Sequence, residues 1–283
     1  MMSSEYEASE KNGFVMLKKM LKNLLLVSAP KTAAAFFASR ARRHASFLEH
    51  HWGLVNETNR YVKRYGDTVL RGPFQGLIYP RSVLERSVAN KLIGTYELDL
   101  HSFLEEAIKS GPQRVIDVGS AEGYYAVGLA RRLPDATVFA FDADRWARKR
   151  TAEMAHVNGV TNLNTFGLCS KRWLFENVRD KTFVVMDCEG CEAELLSATP
   201  RLVLPRLSWW LIELHETRAP GVTDSLRQRF NKTHHTELCP GRIRKPEDCP
   251  EFLKFEMDLA IIKLLDEHRD PGQQWLLCRP RTV

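Results

Sequence analysis

The stretch VIDVGSAEGYYAVGLARRLPDATVFAFDAD, residues 115–144, decides the fold. An apolar run carries Asp117 near its end, a turn bounded by Gly119 and Gly123 follows, a helix-forming segment reaches Arg132, and a second apolar run closes on Asp142. Strand, tight turn, helix, strand is half of a nucleotide-binding sheet. A dinucleotide fingerprint needs G-x-G-x-x-G, whose third glycine lets the helix pack closely on the strand. Here the run is Gly119, Ser120, Ala121, Glu122, Gly123, so alanine replaces the middle glycine. Asp117 would repel a pyrophosphate at the helix N-terminus and attract a cation. S-adenosylmethionine carries a sulfonium and an ammonium and no phosphate, and the turn reads as its site. Asp117 and Gly119 are expected to hold the methionine end. The backbone N–H groups of the turn, with Ser120, Ala121 and Gly123, meet the carboxylate, and Glu122 and Tyr124 flank it.

Asp142 closes the second strand where an acid accepts two hydrogen bonds from ribose hydroxyls. The same placement serves NAD, so Asp142 supports a nucleoside without choosing it. Asp144 reads as a helix cap. Phe166-Gly167-Leu168 follows the third strand, and Gly167 falls where an adenine edge rests.

Working outward, strands are expected at 114–118, 137–141, 163–166, 183–186, 209–214, 236–238 and 274–278. Helices are expected at 123–132, 145–157, 191–198, 223–230 and 250–268. A further helix, 96–109, takes Thr95 as its cap. This alternation predicts an α/β, Rossmann-like, seven-stranded, mostly parallel sheet with helices on both faces, whose ligand edge is the carboxyl end of the strands. Before it, the spacing of Phe14, Leu17, Leu21, Leu24 and Leu25 predicts an amphipathic helix, and a second helical segment covers 31–62. Residues 1–12 are expected to be disordered. The division expected is an N-terminal helical cap, 1–93, and an adenosylmethionine-dependent domain, 94–283. Residues 14–45 could touch a membrane surface peripherally.

The chain has 283 residues, is 44% hydrophobic and 27% charged, and carries a formal +6, an ordinary globular balance that does not favour a nucleic-acid partner. Six cysteines at this length make no disulfide scaffold. The first ten residues are polar and acidic, not a secretory signal, and the expectation is a soluble, cytoplasmic protein.

A second constellation is Asp187-Cys188-Glu189-Gly190-Cys191-Glu192 after the fourth strand, with Glu213-Leu214-His215-Glu216 ending the fifth. Here the chain resembles the FkbM-type methyltransferases, whose signature is an Asp-x-Glu-Gly-x-Glu run opening a helix. It matches at Asp187, Glu189, Gly190 and Glu192 and has cysteine at the variable positions. The element Gly94-Thr95-Tyr96-Glu97 is also similar to that family's. The resemblance covers about residues 70–283 and leaves 1–69 outside. It implies a class I, Rossmann-like, adenosylmethionine-dependent O-methyltransferase acting on a hydroxyl of a sugar, glycan or secondary metabolite. By position, Asp187 and Glu189 border the acceptor pocket, and Glu97 or Tyr96 closes over the methionine moiety.

The chemistry fits independently. Methyl transfer is an in-line displacement, so the protein aligns acceptor oxygen, carbon and sulfur. An alcohol needs a base as the bond forms. His215 is the candidate base, with Asp187 or Glu189 orienting it or serving instead; a purely structural histidine is the competing reading. A divalent metal on Asp187, Glu213 and His215 is a less favoured variant. A zinc set of Cys188, Cys191, Cys239 and Cys249 is disfavoured by its spacing. No Asn/Asp-Pro-Pro-aromatic loop of amino-methylating enzymes follows the fourth strand. Two alternatives stay open: a non-catalytic nucleoside-binding or scaffold module, and an NAD-dependent enzyme.

Overall fold

Phe183 and Val185 enter one apolar cluster, Val184 and Met186 another, so successive side chains of this strand reach cores on opposite faces of one sheet. A strand covered on both sides reads as an unbroken apolar run. The computed structural model describes residues 30–197, 204–254, 264–265, 267 and 272–281. It places seven strands in one sheet: β1 Arg114–Val118, β2 Thr137–Phe141, β3 Leu163–Phe166, β4 Thr182–Met186, β5 Trp209–Leu214, β6 His234–Pro240 and β7 Gln274–Pro280. Their order is β3-β2-β1-β4-β5-β7-β6. The first five run parallel, and β7 is antiparallel to both β5 and β6. This is the Rossmann-like, mostly parallel sheet that the alternation of elements predicts.

The helices are α1 Pro30–His51, α2 Leu54–Tyr65, α3 Ala89–Ile93, α4 His101–Lys109, α5 Tyr124–Arg132, α6 Arg145–Val157, α7 Lys171–Asn177, α8 Glu192–Leu195, α9 Val222–Phe230 and α10 Glu251–Lys254. One face of the sheet is covered through Leu92 and Ile93 of α3, Phe103 and Leu104 of α4, Leu129 of α5 and Met154 of α6. The other is covered through Leu174 of α7, Leu195 of α8 and Leu226 and Phe230 of α9.

Several expectations change. The helix expected from residue 96 starts at His101, after a 3-10 turn over Leu98–Leu100. Thr95 does not cap it; its hydroxyl donates to the Asn90 carbonyl at 3.3 Å. The reason is Glu97, whose backbone is left-handed (φ 50°) and whose buried carboxylate accepts from the Tyr125 hydroxyl, so a tertiary contact turns the chain where local propensity would continue it. The segment 31–62 is two helices, parted at Trp52 and Gly53, where Gly53 takes φ 72°. α7 was not expected. The stretch 70–80 forms turns, with Thr68 bridged to Ile78, and buries Phe74, Leu77 and Tyr79 in the core. The helix expected at 191–198 is shorter, Glu192–Leu195, with Leu196 in a turn; the helices expected at 14–27 and across most of 250–268 and the disorder of 1–12 lie outside the described residues.

The strand order reverses between β1 and β4, and there the two backbones nearly touch. The Asp187 amide donates to the Val118 carbonyl at 2.9 Å. A Cβ on Gly119 would stand 1.6 Å from the Asp187 carbonyl oxygen, so this position, with φ 94°, admits only glycine. A crevice outside the carboxyl ends at such a switch point is where open α/β sheets bind ligands.

Candidate functional site

The turn after β1 is closed on itself. The amides of Gly119 and Ser120 both donate to the Phe141 carbonyl, at 2.8 and 3.0 Å, and that of Gly123 to the Ser120 carbonyl at 2.7 Å. The Ala121 amide donates to Asp142 Oδ2 at 2.9 Å. The expectation that these four N–H groups meet a ligand carboxylate is therefore not met: internal acceptors occupy them, because β2 ends beside the turn. An anion-binding nest of free amides is what a diphosphate requires.

Asp117 stands in contrast. It is 2% exposed, and its Oδ2 has no hydrogen-bond partner. Burial raises its carboxyl well above the usual range, and the nearby charges of Asp187 and Asp142 raise it further. An orphaned acid in this position fits a cationic ligand, as the donor's ammonium and sulfonium are.

Asp142 lies at the end of β2. Its carboxylate already accepts from Ala121 and from the Asp144 amide at 2.7 Å, leaving further lone pairs for a diol. Burial pushes its pKa up to about 6, against those two bonds. Asp144 caps α6 as expected, accepting from the Trp146 amide at 3.0 Å. Gly167 is exposed after β3, and the Phe166 carbonyl accepts from the Asp142 amide at 3.2 Å, which sets this loop beside Asp142. Two residues of the turn face elsewhere. Glu122 pairs with Lys91, which with the charge of Arg86 keeps its carboxyl below the usual range despite burial. Tyr124 packs edge-on against Phe74, Tyr96 and Tyr125.

The ends of β4 and β5 form a second corner around one imidazole. His215 is 7% exposed and meets acids on both ring nitrogens. Its Nδ1 lies 3.2 Å from Glu192 Oε1, which also accepts the His215 amide at 2.9 Å. Its Nε2 lies 3.6 Å from Asp187 Oδ1, 3.6 Å from Glu189 Oε2 and 3.8 Å from Glu213 Oε2. Burial would raise the Glu192 carboxyl, yet the bonds from the His215 ring and amide hold it below the ordinary range. Glu192 is thus an ionised, acceptor-only partner, and it draws a ring proton to Nδ1 and so fixes the orientation of the imidazole. The second Glu192 oxygen accepts from the Gly190 amide at 3.0 Å and so ties α8 to the turn before it. Glu189 is left-handed (φ 60°), two-thirds exposed and paired with Arg218.

Tyr96, Glu97, Asp187, Glu189, Glu213, His215, Glu267 and Gln273 line one polar cavity of about 140 Å³. Sequence reading had singled out all of these except Glu267 and Gln273. Glu267 accepts from the Glu97 amide at 2.9 Å and from Arg244 at 2.7 Å, and Gln273 donates to Glu213. Both come from the region before β7, and no local pattern marks them. Glu192 was visible only as a member of the motif. Its partner is 23 residues away. Asp187, Glu213 and His215 offer ligand atoms within 4.8 Å of one another, a geometry able to hold a divalent cation. No cysteine belongs to such a cluster among the described residues: Cys188 and Cys191 contact Glu192 and the Cys188 carbonyl instead.

No protein-family model matches the chain, and no curated protein matches it in sequence. Solved structures similar to it include human methyltransferase 10 domain containing protein, at 17% identity over 78% of this chain and 97% of that one, with a TM-score of 0.46. Another is precorrin-6y C5,15-methyltransferase from Geobacter metallireducens, at 9% identity over 64% and 89%, with a TM-score of 0.43. A third is the O-methyltransferase TomG from Streptomyces achromogenes in complex with SAM, at 14% identity over 48% and 70%, with a TM-score of 0.38. The strand order described above is that of the Rossmann-like methyltransferase fold. No helix among the described residues is long and apolar enough to cross a membrane.

Proposed function

We propose that this chain is an S-adenosylmethionine-dependent O-methyltransferase of FkbM type, acting on a hydroxyl of a sugar, glycan or similar polyol. The observation that carries the reading is Asp117: a buried acid with an unpartnered oxygen, beside a turn whose amides are occupied. That combination suits a cation and offers a phosphate nothing. Asp142 takes the ribose hydroxyls with its remaining lone pairs, and Gly167 leaves room for the adenine edge.

The donor supplies an electrophilic methyl group on a positively charged sulfur. The protein's own part is to hold the acceptor oxygen in line and to remove its proton. His215 Nε2 takes that proton as the new C–O bond forms and the C–S bond breaks, and the sulfur retains the electron pair. Glu192 orients the ring. The carboxylates of Asp187 and Glu213 stabilise the imidazolium that results. Because the cavity is lined by carboxylates, it favours neutral acceptors rich in hydroxyl donors and repels phosphate esters and nucleic-acid backbones.

Transfer from radiolabelled adenosylmethionine to a panel of sugars and polyols tests this. Product is expected with wild type and, about 10²–10⁴-fold more slowly, with His215→Ala, while both bind donor equally. Donor binding without transfer to any hydroxyl would leave the scaffold reading. A cation on Asp187, Glu213 and His215 is the variant that the 4.8 Å geometry supports, and loss of transfer on adding EDTA would assign it.

A further inference from the structure

Between Lys11 and Leu48 the chain has eight Lys and Arg and no Asp or Glu. Taking those eight from 41 Lys and Arg leaves 33, against 35 Asp and Glu in the whole chain. The entire positive excess of the protein therefore lies in this one stretch, and α1 is its described part. Such asymmetry of charge along the sequence favours an anionic partner.

The two sides of α1 differ. The inward side is tied down: Arg42 pairs with Asp144 at 2.6 Å and lies over the Trp146 ring, and Glu49, the only acid of the helix, pairs with Arg86 at 2.6 Å. The outward side carries Phe36, Arg40, Arg43, His44, Phe47 and His51, all exposed and spaced by three and four residues along one face. Phe36 is 53% and Phe47 65% exposed. Large aromatic rings and arginines alternate there with no acid between them.

From this we infer that the outward face of α1 docks on an anionic lipid bilayer surface. A helix of 22 residues lies flat in the headgroup region, its two phenylalanine rings entering the acyl boundary and its arginines meeting lipid phosphates. The composition favours lipid over nucleic acid. α1 has no Asn or Gln to read a base edge, and apolar rings on the same stripe as the arginines gain from burial in hydrocarbon. The inward ion pair, Arg42 to Asp144, fixes the docking face to the cap of α6, two residues beyond Asp142. Docking would thus leave the carboxyl edge of the sheet held close to the bilayer.

Co-sedimentation of the full chain with vesicles of phosphatidylcholine and phosphatidylserine, at about three to one, tests this against phosphatidylcholine alone. Binding is expected to the mixed vesicles, to weaken with added salt, and to be far weaker to the neutral ones. Arg40→Ala with Arg43→Ala is expected to reduce binding roughly thirtyfold, from about fivefold for each arginine near the surface. Phe36→Ser with Phe47→Ser should reduce it roughly tenfold. These side chains are exposed, so an unchanged melting temperature accompanies both losses. Equal binding to both vesicle types, absence of binding, or variants that bind as wild type would overturn the proposal. So would double-stranded RNA bound more tightly than vesicles and lost in the same variants.

Discussion

At the end of β1 a buried acid, Asp117, keeps one oxygen without a partner, whereas at the ends of β4 and β5 the buried acids converge on a histidine. Both corners sit on the same carboxyl edge, with β1 and β4 hydrogen-bonded neighbours, and both are acidic. Their electrostatics are opposite. Burial and like charges push Asp117 toward its neutral form, while the His215 contacts hold Glu192 ionised. An acid left incomplete waits for a cation from outside; an acid already paired orients a base. On the proposed function, binding belongs to the first corner and proton transfer to the second, and substitutions should separate them.

The largest effect expected is from His215→Ala, a fall in kcat of about 10²–10⁴ with donor affinity within about twofold. Single-turnover transfer together with calorimetric donor binding checks it. A matching loss of binding would merge the two corners into one. Asp117→Asn comes next. The amide copies the neutral acid that burial favours, so folding should be kept, while donor affinity drops about 10–100-fold. Wild type, but not this variant, should release about one proton on binding donor, because the arriving cation ionises Asp117. Calorimetry in buffers of different ionisation enthalpy reads that proton directly.

Glu192→Gln should lower kcat about tenfold and leave donor affinity unchanged, since it loosens the ring without touching the first corner. The mildest test is pH. Asp142 has a folded pKa raised to about 6, so its ionised form lowers stability, and that stability is lost as pH rises through 6. Donor binding has the opposite sign, because ribose needs the ionised acid: affinity should fall by up to about tenfold per unit below pH 6 and level off above pH 7. Asp142→Asn should abolish both trends in thermal melts and in titrations.

What the sequence made legible follows from how far each signal reaches. Strands covered on both faces, such as Phe183–Met186, show as apolar runs, and the first turn shows because glycine is required where β1 meets the Asp187 backbone. The Asp187–Glu192 run and Glu213–His215 were visible as chemistry at two strand ends. Their meeting was expected, because parallel strands present their ends on one edge. Other features depend on contacts distant in sequence. The chain turns at Glu97 because Tyr125 and Glu267 hold it, which no window around Thr95 contains. The engagement of the turn amides by Phe141 and Asp142 depends on strand register, and Glu192 becomes a ring partner only once α8 packs beneath β5. α7 was missed because seven residues give too little periodicity to read.

The central claim is that the turn after β1 receives a sulfonium donor and not a diphosphate. Titrating the wild-type chain with adenosylmethionine, adenosylhomocysteine and NAD in parallel tests it most directly. Saturable binding of the first two, with a proton released for adenosylmethionine and no heat from NAD, is the result predicted. Binding of NAD with none of adenosylmethionine would contradict it.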